Sequence, residues 1–299
     1  MKTSLKLAAL LVGLSIIRHP PSTALAQASN IGEGDQYAWS ANAGWINFIP
    51  HRPNTGDGVR VSDSYLSGYA WSANVGWINF GDGTPANSVR YANTNSADFG
   101  VNHDGGGNLS GLAWSANTGW INFGLASSTN INRPRFDAVN GAFSGYAWSA
   151  NLGWINLATG ILKVDNLIIA DSDGDGISDS WELGHTNSLP VLTASGDVDG
   201  DGITDKQEYI LDTNPLVPNS PFAITRITSI PNLSYVEIEW PSSPARIYGL
   251  EYRTNLVADN WVFALNVPGA ANTNATTVPV TGTLPQVFMR LEAKLPLQP

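Results

Sequence analysis

One twelve-residue motif recurs four times, and it constrains the fold more than any other feature. It reads YAWSANAGWINF at 37–48, YAWSANVGWINF at 69–80, LAWSANTGWINF at 112–123 and YAWSANLGWINL at 146–157. The leading tryptophans Trp39, Trp71, Trp114 and Trp148 are spaced 32, 43 and 34 residues apart. Each copy has the pattern of a β-hairpin: an aromatic alternating strand, a Ser-Ala-Asn-x-Gly turn whose Asn and Gly tolerate positive φ, and a Trp-Ile-Asn-Phe strand leaving it. In that second strand Ile and Phe share one face while Trp and Asn share the other. Segments 59–62, 88–91, 135–139 and 161–164 also read as strands, so the unit is a hairpin plus one strand. Repeats of this size bury a face by stacking on their neighbours. An open solenoid-like stack and a small closed ring both satisfy that need; three strands per unit favour a stacked or rolled repeat over a propeller blade.

Because both tryptophans are invariant among the copies, the pattern predicts an interior ladder of Trp and Phe, each burying roughly 150–250 Å². The competing reading is a row of aromatic platforms for sugar rings. It would use Trp39, Trp71, Trp114 and Trp148, with the turn amides of Asn42, Asn74, Asn117 and Asn151 bonding hydroxyls.

Composition narrows the function classes. The net charge of −10 disfavours nucleic acid, which requires a basic surface to displace counterions. Ten of the 25 acidic residues fall in two short loops, so the negative charge is local and calls for a cation. Lys2 and Lys6, an apolar run over 7–17 and Ala24-Leu25-Ala26 predict a secretory leader over 1–26. No later stretch is apolar over about 20 residues, so no membrane span is expected in the mature chain. Cysteine is absent, so stability must come from packed cores and metal.

The two acidic loops carry the sharpest chemistry. In 171–182, Asp171, Asp173, Asp175, Asp179 and Glu182 occupy positions 1, 3, 5, 9 and 12, with Gly176 at 6 and the Ile177 carbonyl available at 7. In 197–208 the pattern repeats with Asp197, Asp199, Asp201, Ile203, Asp205 and Glu208, 26 residues on. Calcium takes six to eight oxygens, and alternate carboxylates along a curling loop closed by a bidentate Glu supply them; magnesium, with its strict octahedron, fits less well. Two ions are expected. Without a cation, like charges at this density repel. Short helices are expected near 180–183 and 206–211, with Trp181, Leu183, Tyr209, Ile210 and Leu211 forming a small core. The loops resemble thrombospondin type 3-like calcium repeats of bacterial secreted proteins, and are similar to EF-hand and dockerin loops. The apolar residue stands at position 7 rather than 8, and no helix periodicity precedes the first loop. The resemblance therefore implies a structural staple rather than a helix-opening sensor.

Residues 219–299 contain six strand-like runs (223–227, 235–240, 247–252, 261–265, 276–280 and 287–291), the pattern of a small antiparallel sandwich. The stretch around Tyr248, Tyr252 and Trp261 resembles immunoglobulin- or fibronectin-like modules. The expected organisation is mainly β: leader 1–26, repeat domain 27–166, calcium-loop pair 167–218 and terminal sandwich 219–299. No catalytic constellation emerges. His51, His103 and His185 lack partner spacing, and nothing selects a carboxylate pair among Asp98, Asp104 and Asp137. The sequence thus predicts a non-catalytic, calcium-binding secreted or cell-surface protein whose partner is an extracellular glycan or surface protein, acting in adhesion, glycan binding or matrix assembly. The alternatives are a lectin built on the Trp/Asn repeats and a secreted hydrolase.

Overall fold

Each motif copy forms an antiparallel hairpin in the computed structural model, which describes residues 28–51, 56–125, 127, 130–218, 222–230, 235–253, 255, 257, 260–279 and 288–298. The expected leader, 1–26, lies outside the described residues. The hairpins are β1 (Ile31–Ser40) with β2 (Gly44–Asn47), β3 (Tyr69–Ser72) with β4 (Gly76–Asn79), β5 (Leu109–Ser115) with β6 (Gly119–Asn122), and β7 (Tyr146–Ser149) with β8 (Gly153–Asn156). The two tryptophans of each copy face one another across their hairpin, as Trp71 does Trp77. In the second turn Val75 N–H donates to Ser72 O at 3.3 Å, and Gly76 follows at φ +78°, which a side chain would strain.

The hairpins pair in sequence: Asn47 opposes Trp71, Asn79 opposes Trp114, and Asn122 opposes Trp148. Asn156 then opposes Trp39, so the fourth hairpin returns to the first and closes an eight-stranded antiparallel barrel. The repeat is therefore a closed ring rather than an open stack. Every seam advances the register by two residues, from the second Trp to the Asn, so one circuit advances it by eight. A barrel of that strand number and stagger has an interior that side chains just fill.

That width decides which face turns inward. Ala38, Ala70, Ala113 and Ala147, their cross-strand partners Ile46, Ile78, Ile121 and Ile155, and Phe48, Phe80, Phe123 and Leu157 are all buried. Phe80 packs edge-on against Phe48 and Phe123, with centroids at 5.2 and 5.6 Å. The expected interior ladder holds for phenylalanine and fails for tryptophan. Seven of the eight motif tryptophans face outward at 40–57% exposure, and Trp148 is half-buried. Indole rings from all eight strands would overfill a cylinder that Ala and Ile already close.

At the turn end, the residues before each glycine (Ala43, Val75, Thr118 and Leu152) are buried and plug the barrel. Asn42, Asn74, Asn117 and Asn151 each donate Nδ2 to the carbonyl of the preceding hairpin's plug residue: Leu152, Ala43, Val75 and Thr118, at 3.1, 3.3, 2.8 and 3.0 Å. Four turns are thereby tied into one ring.

The accessory strands are shorter than expected. Arg60–Val61 pairs with Leu66–Ser67, Arg135–Phe136 with Phe143–Ser144, and β9 (Leu162–Val164) with β1. Segment 88–91 is not a strand. The Asn87 side chain accepts from Val89 and Arg90 N–H, and the Asn102 side chain from Tyr91 N–H, so side chains take the donors a ladder would use. Val101–His103 pairs with β5 instead.

After the acidic segment come β10 (Arg226–Ile230), β11 (Tyr235–Ser242), β12 (Ile247–Arg253), β13 (Val262–Pro268), β14 (Asn272–Pro279) and β15 (Phe288–Lys294). They form two three-stranded antiparallel sheets, β10-β11-β14 and β13-β12-β15. Ile238 and Trp240 from one sheet and Tyr248, Leu250 and Ala293 from the other share a buried cluster.

Candidate metal centre

The DxDxDG sequence folds locally for a simple reason: its first carboxylate satisfies the backbone of its own loop. Asp171 Oδ1 accepts from Gly174 and Asp175 N–H at 2.8 and 3.1 Å, and its Oδ2 from Gly176 N–H at 2.9 Å. Asp197 does the same for Gly200, Asp201 and Gly202. Gly174 and Gly176 take φ of +77° and +86°, which lets the loop curl this tightly. One carboxylate oxygen from each of Asp171, Asp173 and Asp175 lies within 4.8 Å of the others, and Asp197, Asp199 and Asp201 form an equivalent triplet.

Each loop runs into a helix: α1 (Asp179–Thr186), capped by Ser178, and α2 (Asp205–Leu211), where Thr204 and Gln207 form a reciprocal capping box. The helices bring the position-12 residues Glu182 and Glu208 inward, where both are fully buried. Both Glu182 carboxylate oxygens, Asp175 Oδ2 and Asp199 Oδ2 are buried without a hydrogen-bond donor. Glu208 Oε1 accepts from Thr213 Oγ1 at 3.1 Å. Burial pushes the Glu182 carboxyl up to about 7, with Asp173, Asp175, Asp179 and Asp171 adding repulsion. Burial also raises Asp199. Clustered carboxylates with buried, donor-free oxygens in each loop are the kind of acceptor set that a hard divalent cation such as calcium takes. When bound, calcium would supply the positive charge that lets these carboxylates ionise side by side.

The position-9 carboxylates also hold the backbone of the segment. Asp179 accepts from Ser172 N–H and Oγ, and Asp205, fully buried, accepts from Thr193 and Val198 N–H. They brace the loop backbone at the start of each helix. Ile177 anchors loop one through its side chain, which is buried with Leu192 and Tyr209, while Ile203 is half-buried. Trp181 joins that cluster, whereas Ile210 and Leu211 pack on the C-terminal core. Lys206 Nζ, on α2, lies 3.5 Å from Asp175 O and so connects the two loops.

The segment is held at both ends. Ser178 and Ser180 hydroxyls donate to Asp63 of the barrel domain, the second at 2.8 Å. Buried Arg246 of the C-terminal domain donates to Ile210 O at 2.9 Å and to Tyr209 O.

On the barrel, Trp39, Trp71, Trp114 and Trp148 stand on the outer face with their partners Trp45, Trp77, Trp120 and Trp154. Tyr37, Tyr69 and Tyr146 brace the second tryptophans edge-on at 6.1–6.4 Å. In the third copy, where Leu112 replaces Tyr, Phe99 braces Trp120 at 5.0 Å. The turn asparagines expected to meet a ligand have their Nδ2 groups committed to the ring at the barrel mouth. Asn47, Asn79, Asn122 and Asn156, absent from the candidates expected from the sequence, lie beside the tryptophans on the outer face. Their Oδ1 atoms accept from the backbone N–H two residues on, at 2.7–2.9 Å. No acceptor for their Nδ2 occurs among the described residues. The signal was the shared face of Trp and Asn in WIN.

The remaining candidates have local partners. His51 pairs with Asp57 at 2.7 Å, His103 is buried, and His185 Nδ1 bonds Trp181 O at 2.8 Å. Asp98, Asp104 and Asp137 each accept backbone N–H groups within their own turns.

These features define a barrel with an aromatic outer face joined to a segment of two acidic DxDxDG loops. Residues 171–188 and 197–218 match the family model of the bacterial TSP3 repeat, so the acidic segment carries two such repeats. No curated protein and no solved structure matches the chain. Among the described residues no helix is long and apolar enough to cross a membrane.

Proposed function

We propose that this is a non-catalytic, secreted or cell-surface binding protein that presents the barrel's outer face to extracellular glycan, while two calcium ions stiffen the connector behind it. The observation that carries the reading is the outward placement of the motif tryptophans, seven of them 40–57% exposed. Exposed aromatic rings alternating with amide side chains suit sugars, which offer a C–H face and a rim of hydroxyls. The reading therefore leans to a lectin-like use of the repeats within an adhesion or matrix role. The TSP3 repeats support the calcium component. The C-terminal sheets, taken as an immunoglobulin- or fibronectin-like module, act as a spacer or sorting element.

Tryptophan fluorescence during titration with a panel of polysaccharides tests this reading. Binding shifts or quenches the emission, and acrylamide quenching of the belt falls in the bound state. A panel without effect on either signal contradicts it.

A further inference from the structure

The four seams between hairpins are built alike. Each places the Asn of one hairpin opposite the first Trp of the next: Asn47–Trp71, Asn79–Trp114, Asn122–Trp148 and Asn156–Trp39. The second Trp of the donor hairpin (Trp45, Trp77, Trp120 or Trp154) stands two residues before that Asn. At the Asn79–Trp114 seam the result is a cleft of about 320 Å³ with Trp77, Trp114, Tyr69, Asn79 and Asn117 in its lining.

Three properties identify the occupant. The lining is dominated by aromatic side chains, whose faces suit the C–H face of a pyranose ring. It includes the Asn79 amide, whose Oδ1 is pinned by Gly81 N–H at 2.8 Å, leaving Nδ2 as a donor for a hydroxyl or ring oxygen. Within the hairpin motifs the outward strand positions carry Trp, Tyr, Asn and one Leu, without a charged side chain. No Lys or Arg stands there to pair with an acidic sugar, and the net charge of −10 repels one. A membrane fits poorly, because the seams encircle the barrel and cannot all meet one plane.

Resting on the glycan reading above, we infer that each seam takes one sugar unit of a neutral polysaccharide, so that the barrel offers four quasi-equivalent subsites around its circumference. Such a ring engages several chains at once, or one chain repeatedly, and gains avidity from weak individual contacts. A matrix cross-linker needs that property.

The test is calorimetric titration of the full calcium-loaded chain with short neutral oligosaccharides (cello-, xylo- and chito-oligosaccharides), with oligoalginate as the acidic control. The inference expects more than one oligosaccharide per chain and no alginate binding. The decisive variant is Asn79→Asp, which keeps an acceptor for Gly81 N–H and replaces the amide donor with a negatively charged, acceptor-only oxygen. It should leave the melting temperature unchanged and weaken its own seam about 5- to 10-fold. The same change at all four seams should weaken binding of the long polymer by at least 100-fold, as avidity is lost. Binding of one oligosaccharide per chain, insensitive to the fourfold variant, overturns the seam assignment while leaving glycan binding intact. Binding of alginate alone overturns the neutral class. Absence of any glycan binding removes both this inference and the reading it rests on.

Discussion

Arg246 of the C-terminal domain lies 3.3 Å from Asp212, the left-handed residue that ends α2 behind the second calcium loop. The guanidinium is 5% exposed, sits 5.5 Å over the Tyr209 ring and takes up the Ile210 carbonyl at 2.9 Å. A cation at a helix C-terminus satisfies carbonyls the helix leaves open. Asp63 does the converse at α1, where its carboxylate receives the Ser178 and Ser180 hydroxyls. The acidic segment is thus fixed at one end by the barrel and at the other by the terminal sheets.

Arg246→Ala should destabilise the chain by about 2–4 kcal/mol, the range for removing one partner of a buried, hydrogen-bonded pair. Arg246→Lys should recover little of this, because an ammonium cannot reach two carbonyls and a carboxylate in one plane. Denaturant melts of both variants in calcium check the claim.

Glu182 couples calcium to protons. Its carboxyl titrates at about 7 in the folded chain against an ordinary 4.5. A raised carboxyl favours the folded state while protonated. In chelator, stability is therefore highest below the ordinary value and declines as pH rises from about 4.5 to about 7. Calcium replaces the proton, so the decline should vanish in calcium and ion binding near pH 6 should release a proton. Calorimetry in buffers of different ionisation enthalpy reads that release, and Glu182→Gln should reduce it.

His103 gives the opposite slope. Burial lowers its affinity for a proton, opposed by the Ser62 carbonyl and the Asp63 and Asp104 charges and reinforced by Arg90. The neutral ring bonds Ser62 O through Nε2 at 2.6 Å and accepts Gly105 N–H at Nδ1 at 3.1 Å. A depressed value means the stabilisation is present above the unfolded pKa and is lost as pH falls through it, from about 6.5 downward. Measured in calcium, where Glu182 is held by the ion, the acid limb of the stability curve should flatten in His103→Gln.

Much of the barrel was legible in the four motifs, because a two-residue period puts Ile and Phe on one face and Trp and Asn on the other. Which face turns inward was not, since both carry large apolar groups. The choice depends on barrel width, and the width follows from Asn156 pairing with Trp39, a contact between the ends of the repeat that no local pattern encodes. The DxDxDG loops were legible as a pattern because their folding is local: Asp171 bonds Gly174 and Gly176 of its own loop. The bracing role of Asp205 was hidden, because one of its partners, Thr193, comes from the linker before the loop.

The inward and outward assignments separate cleanly by substitution. Phe80→Ala removes a side chain that is 2% exposed and should cost about 3–5 kcal/mol. Trp77→Ala removes one that is 45% exposed and should cost about 1 kcal/mol or less. Thermal melts of the two variants provide the comparison, and equal losses would place Trp77 in the core.

The most direct test of the account is calcium titration of the chelated full chain by calorimetry, followed by hydrogen exchange across residues 171–211 with and without the ion. The account predicts about two calcium ions per chain and strong added protection in both loops and helices, lost together when Glu182 and Glu208 are changed to Gln. Absence of binding heat at millimolar calcium, with unchanged exchange in that segment, would contradict it.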